Sequence, residues 1–323
     1  MIDNVKDIKN TYDLESAVGL VKDEITKALE SSPAVIRDYT SHLSKATGKL
    51  IRAKSLLICS QDEDERVQER AVKVAAAIEI FHLATLVHDD IIDDAPLRRG
   101  IATLNRKYGT RTAVICGDYL LSMAMGMITS VFDNDRVPEI KMANLLGKLC
   151  LGELTQHINN GNYSLSVMQY LKIIAGKTAA LFEVSFYLGA HLAGNNHTES
   201  RKYARIGRYI GMIFQLTDDC MDYEASEQVA MKPVLSDFEQ DVVTLPLIYA
   251  LKASEDLRNR ARSGKLSSAI VNKAVKMTGG LNFTRTLAKR YKSKAIGILE
   301  GLSLDNARKN NLSMILETSY RTF

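Results

Sequence analysis

The chain has 323 residues, 46% apolar and 25% charged, with a net charge of +4 from 42 Lys and Arg against 38 Asp and Glu. This balance describes a globular protein able to bury a large core, and it excludes disordered, collagenous and fibrous chains. The positive excess is too small to argue for nucleic acid, which calls for a basic patch interleaved with aromatics. Four dispersed cysteines (Cys59, Cys116, Cys150, Cys220) form no CxxC pair. That predicts neither a disulfide framework nor a zinc site, and reads as reduced thiols of a cytoplasmic protein. The segment Met1–Asp7 lacks the basic start and apolar run of a secretory signal. The most apolar segments, 71–88 and 177–194, are interrupted by Lys, Glu or His, short of the ~20 apolar residues of a membrane span. A bilayer-embedded protein is therefore not expected, although a peripheral membrane contact stays open.

Apolar residues recur at three and four, as in Val72, Ala75, Ala76, Ile80, Leu83, Ala84 and Val87, the period of a helix. The pattern predicts helices over 14–30, 34–45, 50–59, 65–90, 110–130, 137–157, 167–190, 199–222, 242–252, 266–275, 282–300 and 306–318. Breaks fall at Ser60–Glu65, Pro96–Gly100, Asn159–Asn162, Gly194–Thr198 and Glu224–Phe238. No linker or composition shift divides the chain, so it reads as one all-α domain over 1–323.

Two acidic clusters lie about 130 positions apart. Asp89-Asp90-Ile91-Ile92-Asp93-Asp94 closes the apolar run Phe81–Val87. On a helix, Asp89 stacks on Asp93 and Asp90 on Asp94. Like charges there repel, and the helix C-terminus disfavours them further. Asp218-Asp219-Cys220-Met221-Asp222 ends a second apolar run, 210–217, in the same way. Helix propensity explains neither placement, so something positive must neutralise them. Carboxylates of this kind suit Mg²⁺, which keeps several waters and is held by one or two carboxylates together with substrate phosphates.

Cations accompany the clusters. Arg98 and Arg99 follow the first one directly and supply bidentate donors for phosphate oxygens. Gly48-Lys49-Leu50-Ile51-Arg52 opens a predicted helix on which Lys49 and Arg52 share a face, an arrangement ready for a diphosphate. Lys177-Thr178 precedes the apolar run 179–182. His82 lies two turns before Asp89 on the same face.

The ordered set Gly48-Lys49-x-x-Arg52, His82, Asp89-Asp90-x-x-Asp93, Arg98-Arg99-Gly100, Gly117-Asp118-Tyr119-Leu120, Gly152-Glu153, Lys177-Thr178-Ala179, Gln215-x-x-Asp218-Asp219-x-x-Asp222, Lys232-Pro233 and Thr244-Leu245-Pro246 resembles the trans-isoprenyl diphosphate synthases over nearly the whole chain. The resemblance implies a helical bundle around a central cavity. It implies that Asp89, Asp93 and Asp218 coordinate Mg²⁺, with Asp90, Asp219 and Asp222 in support. Arg98, Lys177, Thr178, Gln215 and Lys232 would hold an allylic diphosphate. Lys49, Arg52, His82 and Arg99 would hold isopentenyl diphosphate. Asp89, Asp90, Asp93, Arg98, Lys177, Asp218 and Asp219 would carry catalysis.

Where short-chain members of that family often place an aromatic floor, Ala84-Thr85 is small. This implies a deeper tunnel, a later floor at Phe81, and a product of about C30–C40, with Ala84 roughly 7 Å along the helix from Asp89. A C15–C20 product is the alternative. Two departures from the family pattern stand out. Met231 and Leu235 replace the glycines that flank Lys232-Pro233, so the loop is expected to fold differently. Asp241-Val242 replaces a Gly-Lys. Catalytic subunits of two-component hexaprenyl and heptaprenyl synthases also tend to lack that lysine. The expectation is therefore a dimer, either with a non-catalytic subunit or with a second copy, feeding quinone side chains. A non-catalytic regulatory subunit and a class I terpene cyclase are the rival readings. Both clusters being complete argues against the first, and the form of the second cluster argues against the other.

Overall fold

The computed structural model describes residues 10–45, 48–132, 142–224 and 235–320. The fold is all-α. In chain order come α1 (Leu14–Glu30), α2 (Ala34–Leu43), α3 (Ile51–Cys59), α4 (Glu69–Ile92), α5 (Leu104–Tyr108), α6 (Thr110–Phe132), α7 (Met142–Ile158) and α8 (Val167–Ile174). A π-helical segment, Ala175–Ala179, then leads into α9 (Ala180–Leu192) and α10 (His197–Glu224). Further helices span Ser236–Glu239, Leu245–Ala253, Glu255–Arg262, Ser268–Thr278, Gly280–Glu300 and Asn306–Ser319. The described residues gather into two compact units. One comprises the described residues within 1–140, 185–203 and 304–312, the other those within 141–184, 204–303 and 313–323.

In the first unit, α4 packs against α1, α3 and α6. It buries Ala71, Val72, Val74–Ile78, Ile80, Phe81, Ala84 and Val87. A helix apolar on nearly every side belongs in a core. In the second unit the buried helix Leu245–Ala253 packs against the helices Glu255–Arg262, Ser268–Thr278 and Gly280–Glu300, and against α8.

The helical period locates the long helices to within a few residues, and 137–141, the expected start of α7, lies outside the described residues. α4 starts at Glu69, four residues later than the expected start at 65. The Asp62 carboxylate accepts the amides of Asp64 and Arg66 (3.0 and 2.8 Å), and Val67–Gln68 pairs with Thr11–Tyr12. Partners on distant chain thus take the backbone that a helix would have used. The short helices Leu104–Tyr108, Ser236–Glu239 and Glu255–Arg262 were not expected.

One reading needs correction. Among the described residues three helices are long and apolar enough to cross a membrane by length and composition: Glu69–Ile92, Thr110–Phe132 and Val167–Leu192. Counting each Lys, Glu or His as a break hid them. Of their most apolar windows, 61%, 28% and 78% are buried. The first and third are therefore core helices, whereas α6 turns much of its apolar length outward.

Candidate active site

The first cluster sits where α4 ends. Asp93 caps the helix in αR conformation, its amide bonded to the Asp89 carbonyl at 2.8 Å, so Asp89 and Asp93 share a face as expected. Asp94 does not share a face with Asp90. Its φ of 45° takes the chain out of the helix, and the Ala95 amide returns to the Asp90 carbonyl (3.0 Å). Asp90 is buried and accepts from Arg98 Nε at 2.5 Å. Burial still holds its carboxyl above the usual range, with Arg98 pulling it down.

Arg98 and Arg99 are placed by a two-residue hairpin. Leu97–Arg98 pairs with Ile101–Ala102, and Arg99 and Gly100 hold φ of 51° and 82°, as a type I′ turn requires. The turn delivers the Arg99 guanidinium against Gly48. A Cβ there would stand 2.7 Å from Arg99 Nη1.

Lys49 departs from its expected place. α3 begins at Ile51, and Leu50 precedes it with a left-handed φ of 52° while burying its side chain. Lys49 therefore lies before the helix and does not share a helical face with Arg52. The α3 N-terminus is capped from α4. Glu79 Oε1 accepts the Ala53 amide at 2.9 Å. Burial pushes the Glu79 carboxyl up, and Arg52 and Arg99 draw it back. Sequence reading passed over Glu79, although a lone carboxylate inside an apolar helical run was the available signal.

One turn on, His82 is pushed well below the ordinary histidine pKa, first by burial and then by Arg52, Arg99 and Arg98. It is neutral at pH 7, in a field set by three guanidinium groups. The folded pKa is depressed, so the folded state binds fewer protons than the unfolded state below pH ~6.5. The stability that His82 allows is complete above that pH and is lost as pH falls below it. Melting temperature measured from pH 8 to pH 5 should drop less for His82→Gln than for the unchanged chain. Equal slopes would remove His82 from this role.

In the second unit, α7, α8, the π-helical segment and α10 position a further set of the expected residues. Gly152 lets the segment approach α7, since a Cβ there would lie 2.5 Å from the Lys177 amide nitrogen. Lys177 Nζ then donates to Glu153 at 2.7 Å, which accounts for the Gly152-Glu153 pair. Such π turns recur at functional sites. Because backbone is what Gly152 would strike, Gly152→Ala should cost about 1–3 kcal/mol. Thermal unfolding measures this, and an unchanged melting temperature would refute the close approach.

Thr178 Oγ1 donates to Gln215 Oε1 (2.8 Å), and Gln215 Nε2 donates to Asp219 Oδ1 (2.8 Å). The Tyr170 hydroxyl donates to Asp219 Oδ2. Asp219 is fully enclosed, and burial pushes its carboxyl up to about 7. It therefore orients its neighbours, whereas Asp218 on the same turn is exposed. Asp222 accepts the Ser236 amide and hydroxyl (both 3.1 Å) and the Asp237 amide (3.3 Å), capping a short helix. Asp237 lies close enough that burial and the charges of Asp219, Asp222 and Asp218 raise its carboxyl well above normal. Tyr170 and Asp237 were missed: nothing in sequence separates Tyr170 from a core tyrosine, and Asp237 fell in an expected loop.

Lys232 lies outside the described residues, as does Met231. The lost glycines do not abolish the left-handed backbone. Leu235 and Asp241 hold φ of 65° and 58°, at a cost of about 1–2 kcal/mol each. The Leu235 side chain is buried in return. The residues expected to floor a tunnel lie in the first unit. Phe81 and Ala84 are fully buried, and half-buried Thr85 bonds back to the His82 carbonyl (2.8 Å).

Among the described residues no three His, Cys, Asp or Glu side chains close into a metal cage. Asp89, Asp93 and Asp218 are hard oxygen donors with access to solvent, at or near helix C-termini whose dipoles deepen the negative potential. Asp89 and Asp93, four apart at the end of α4, fit a hydrated hard dication that also takes phosphate oxygens, and exposed Asp218 in the second unit is a donor of the same kind.

A model of the polyprenyl synthetase family matches residues 33–278. The chain is 34% identical to heptaprenyl diphosphate synthase component 2 of Geobacillus stearothermophilus, covering 91% of this chain and 92% of that one. It is 31% identical to octaprenyl diphosphate synthase of Escherichia coli, covering 86% and 87%. Among solved structures, heptaprenyl diphosphate synthase of Staphylococcus aureus superposes with a TM-score of 0.87 at 28% identity, over 96% of this chain and 99% of that one. A polyprenyl synthase of Caulobacter crescentus, solved with calcium and isoprenyl diphosphate, gives 0.83 at 28% identity, over 95% of both chains.

Proposed function

We infer the reaction from one premise: this chain belongs to the polyprenyl synthetase family and is a prenyltransferase. Its relatives include hepta-, octa- and nonaprenyl diphosphate synthases. The proposed reaction condenses isopentenyl diphosphate with an allylic diphosphate, farnesyl diphosphate as primer, to an all-trans product of about C30–C40. The observation that carries it is on α4 and its surroundings. His82 stands on the helix that ends in Asp89 and Asp93, and it feels three guanidinium groups, Arg52 of α3 and Arg98 and Arg99 of the hairpin. Cations for a diphosphate thus gather round the helix whose end carries carboxylates for a dication.

In this reading Arg98, Lys177 and Gln215 hold the allylic diphosphate, with Thr178 fixing the Gln215 amide so that its NH₂ end is presented. Arg52, His82, Arg99 and Lys49 hold isopentenyl diphosphate. Mg²⁺ held by Asp89, Asp93 and Asp218, when bound, supplies positive charge to the departing diphosphate. The guanidinium and ammonium groups stabilise the same charge. The allylic C1–O bond breaks, the isopentenyl double bond attacks C1, and a proton is lost to the released diphosphate. No side-chain base is assigned.

Relatives named as component 2 of a heptaprenyl synthase support a two-component assembly. We assign the partner face to exposed apolar positions of α7, Leu151, Leu154 and Ile158, which recur at helical spacing. We propose that the reaction runs in the cytoplasm, a reading supported by the four free cysteines, and that it serves quinone side chains.

The test incubates the purified chain with labelled isopentenyl diphosphate, farnesyl diphosphate and Mg²⁺, then sizes the dephosphorylated product. A discrete long prenyl chain is expected, at full rate only once the second subunit is added. A product no longer than C20 selects the short-chain alternative. Full rate from the isolated chain removes the two-component assembly.

A further inference from the structure

The small net charge of the chain conceals a strong local asymmetry. Residues 252–294 hold twelve Lys and Arg and two acidic residues, ten positive charges net. The remaining residues hold 30 basic and 36 acidic ones, six negative charges net. The basic stretch is folded rather than a tail. Its helices pack round the buried helix Leu245–Ala253 and bury Val271, Val275, Thr284, Ala288 and Ala295. The cations occupy the opposite faces.

Some of these cations have partners: Arg260 with Asp256 (2.8 Å), Lys292 with Glu317 (2.6 Å), and Arg285 with Glu224. Lys265, Lys273, Lys276, Lys289, Arg290 and Lys294 are exposed, and none joins an ion pair among the described residues. Beside Lys273 and Lys276, on the same helical face, Met277 is 75% exposed. A long flexible apolar side chain held in water among lysines serves nothing in the fold.

We propose that the outer face of the helices Ser268–Thr278 and Gly280–Glu300 docks on an anionic phospholipid bilayer, with Met277 entering the headgroup layer. Lys and Arg near an anionic lipid surface each add about 1 kcal/mol, or roughly fivefold, to binding within a Debye length. Apolar side chains between them add burial at the acyl boundary. A nucleic acid would use the same cations, but stacking platforms are missing: Tyr291 and Phe283 are half-buried and turned to other rings. The surface itself stands on charge and exposure. Its use, delivery of an insoluble prenyl product to the membrane, rests on the proposed prenyl transfer.

The full chain is sedimented with vesicles of phosphatidylcholine alone and of phosphatidylcholine mixed with phosphatidylglycerol, without substrates, at low and high salt. Binding is expected only to the anionic vesicles, weakening as salt rises. The variant combining Lys273→Glu, Lys276→Glu, Lys289→Glu and Arg290→Glu should bind about a hundredfold more weakly or worse, with turnover in detergent unchanged. Met277→Gln should weaken binding without changing its salt dependence. If the fourfold variant fails to fold, Lys273→Gln with Lys276→Gln carries the same test at smaller effect. Equal binding to both vesicle types, no binding to anionic vesicles, or full binding by a folded variant overturns the proposal. So does displacement from vesicles by equimolar duplex RNA, which would mark a general polyanion surface. Because vesicle binding is measured without substrate, its failure leaves the assignment of prenyl transfer untouched, and loss of turnover leaves the binding result readable.

Discussion

Replacing Asp89 or Asp218 by Ala should lower prenyl transfer by about a thousandfold or more, while the protein melts at the same or a slightly higher temperature. The rate estimate follows from losing a dication ligand, worth several kcal/mol of charge stabilisation at about 1.36 kcal/mol per tenfold. The stability estimate has the opposite sign. Asp89 faces Asp93 four residues on, and Asp218 likewise faces Asp222. Such like-charge pairs cost a few tenths of a kcal/mol, and the end of the helix dipole adds to the cost. Removing one carboxylate relieves both. Single-turnover transfer of labelled isopentenyl diphosphate and a thermal melt on the same preparation measure the two effects. A fall in melting temperature in step with activity would mean that these aspartates hold the fold instead. Asp219→Ala serves as the contrast. Its carboxylate is enclosed and accepts from Tyr170 and Gln215, so this variant should lose about 1–3 kcal/mol of stability as well as activity.

The second large effect is on product size. Ala84→Phe should shorten the product from about C30–C40 to C15–C20 if its side chain reaches the path of the growing chain, one and a half helical turns from Asp89. Ala84 is fully buried, so the added ring also costs about 1–3 kcal/mol wherever its surroundings are packed. Chromatography of the dephosphorylated products, read beside the melting temperature, separates the cases. A shorter product confirms the floor. An unchanged product from a destabilised protein places Ala84 in ordinary core and moves the length determinant to another wall.

The long helices and the acidic clusters were legible because each writes a local signal. Apolar spacing at three and four marks a helix from α1 to Asn306–Ser319. Carboxylates crowded at a helix C-terminus contradict local physics, so they announce a ligand, and Asp89 with Asp93 keeps the expected shared face. The errors arose where one residue's backbone left the regular pattern. Leu50 and Asp94, both at positive φ, remove Lys49 and Asp94 from the faces that spacing assigned them. Leu235 and Asp241 show the reverse case: a left-handed backbone survives without glycine because the surrounding structure holds it.

By itself the sequence determined the helical class, the helix that carries each acidic cluster, and the family, since these depend on residue type and short-range spacing alone. Only tertiary structure decided which partner each charged group meets. Asp90 turns to Arg98, Lys177 to Glu153, and Glu79 to the amide end of α3. Tyr170 joins Asp219 across 49 positions. Hydrogen bonds and charge interactions act through space over a few ångströms, and no period in the chain records which distant residue will stand at that distance.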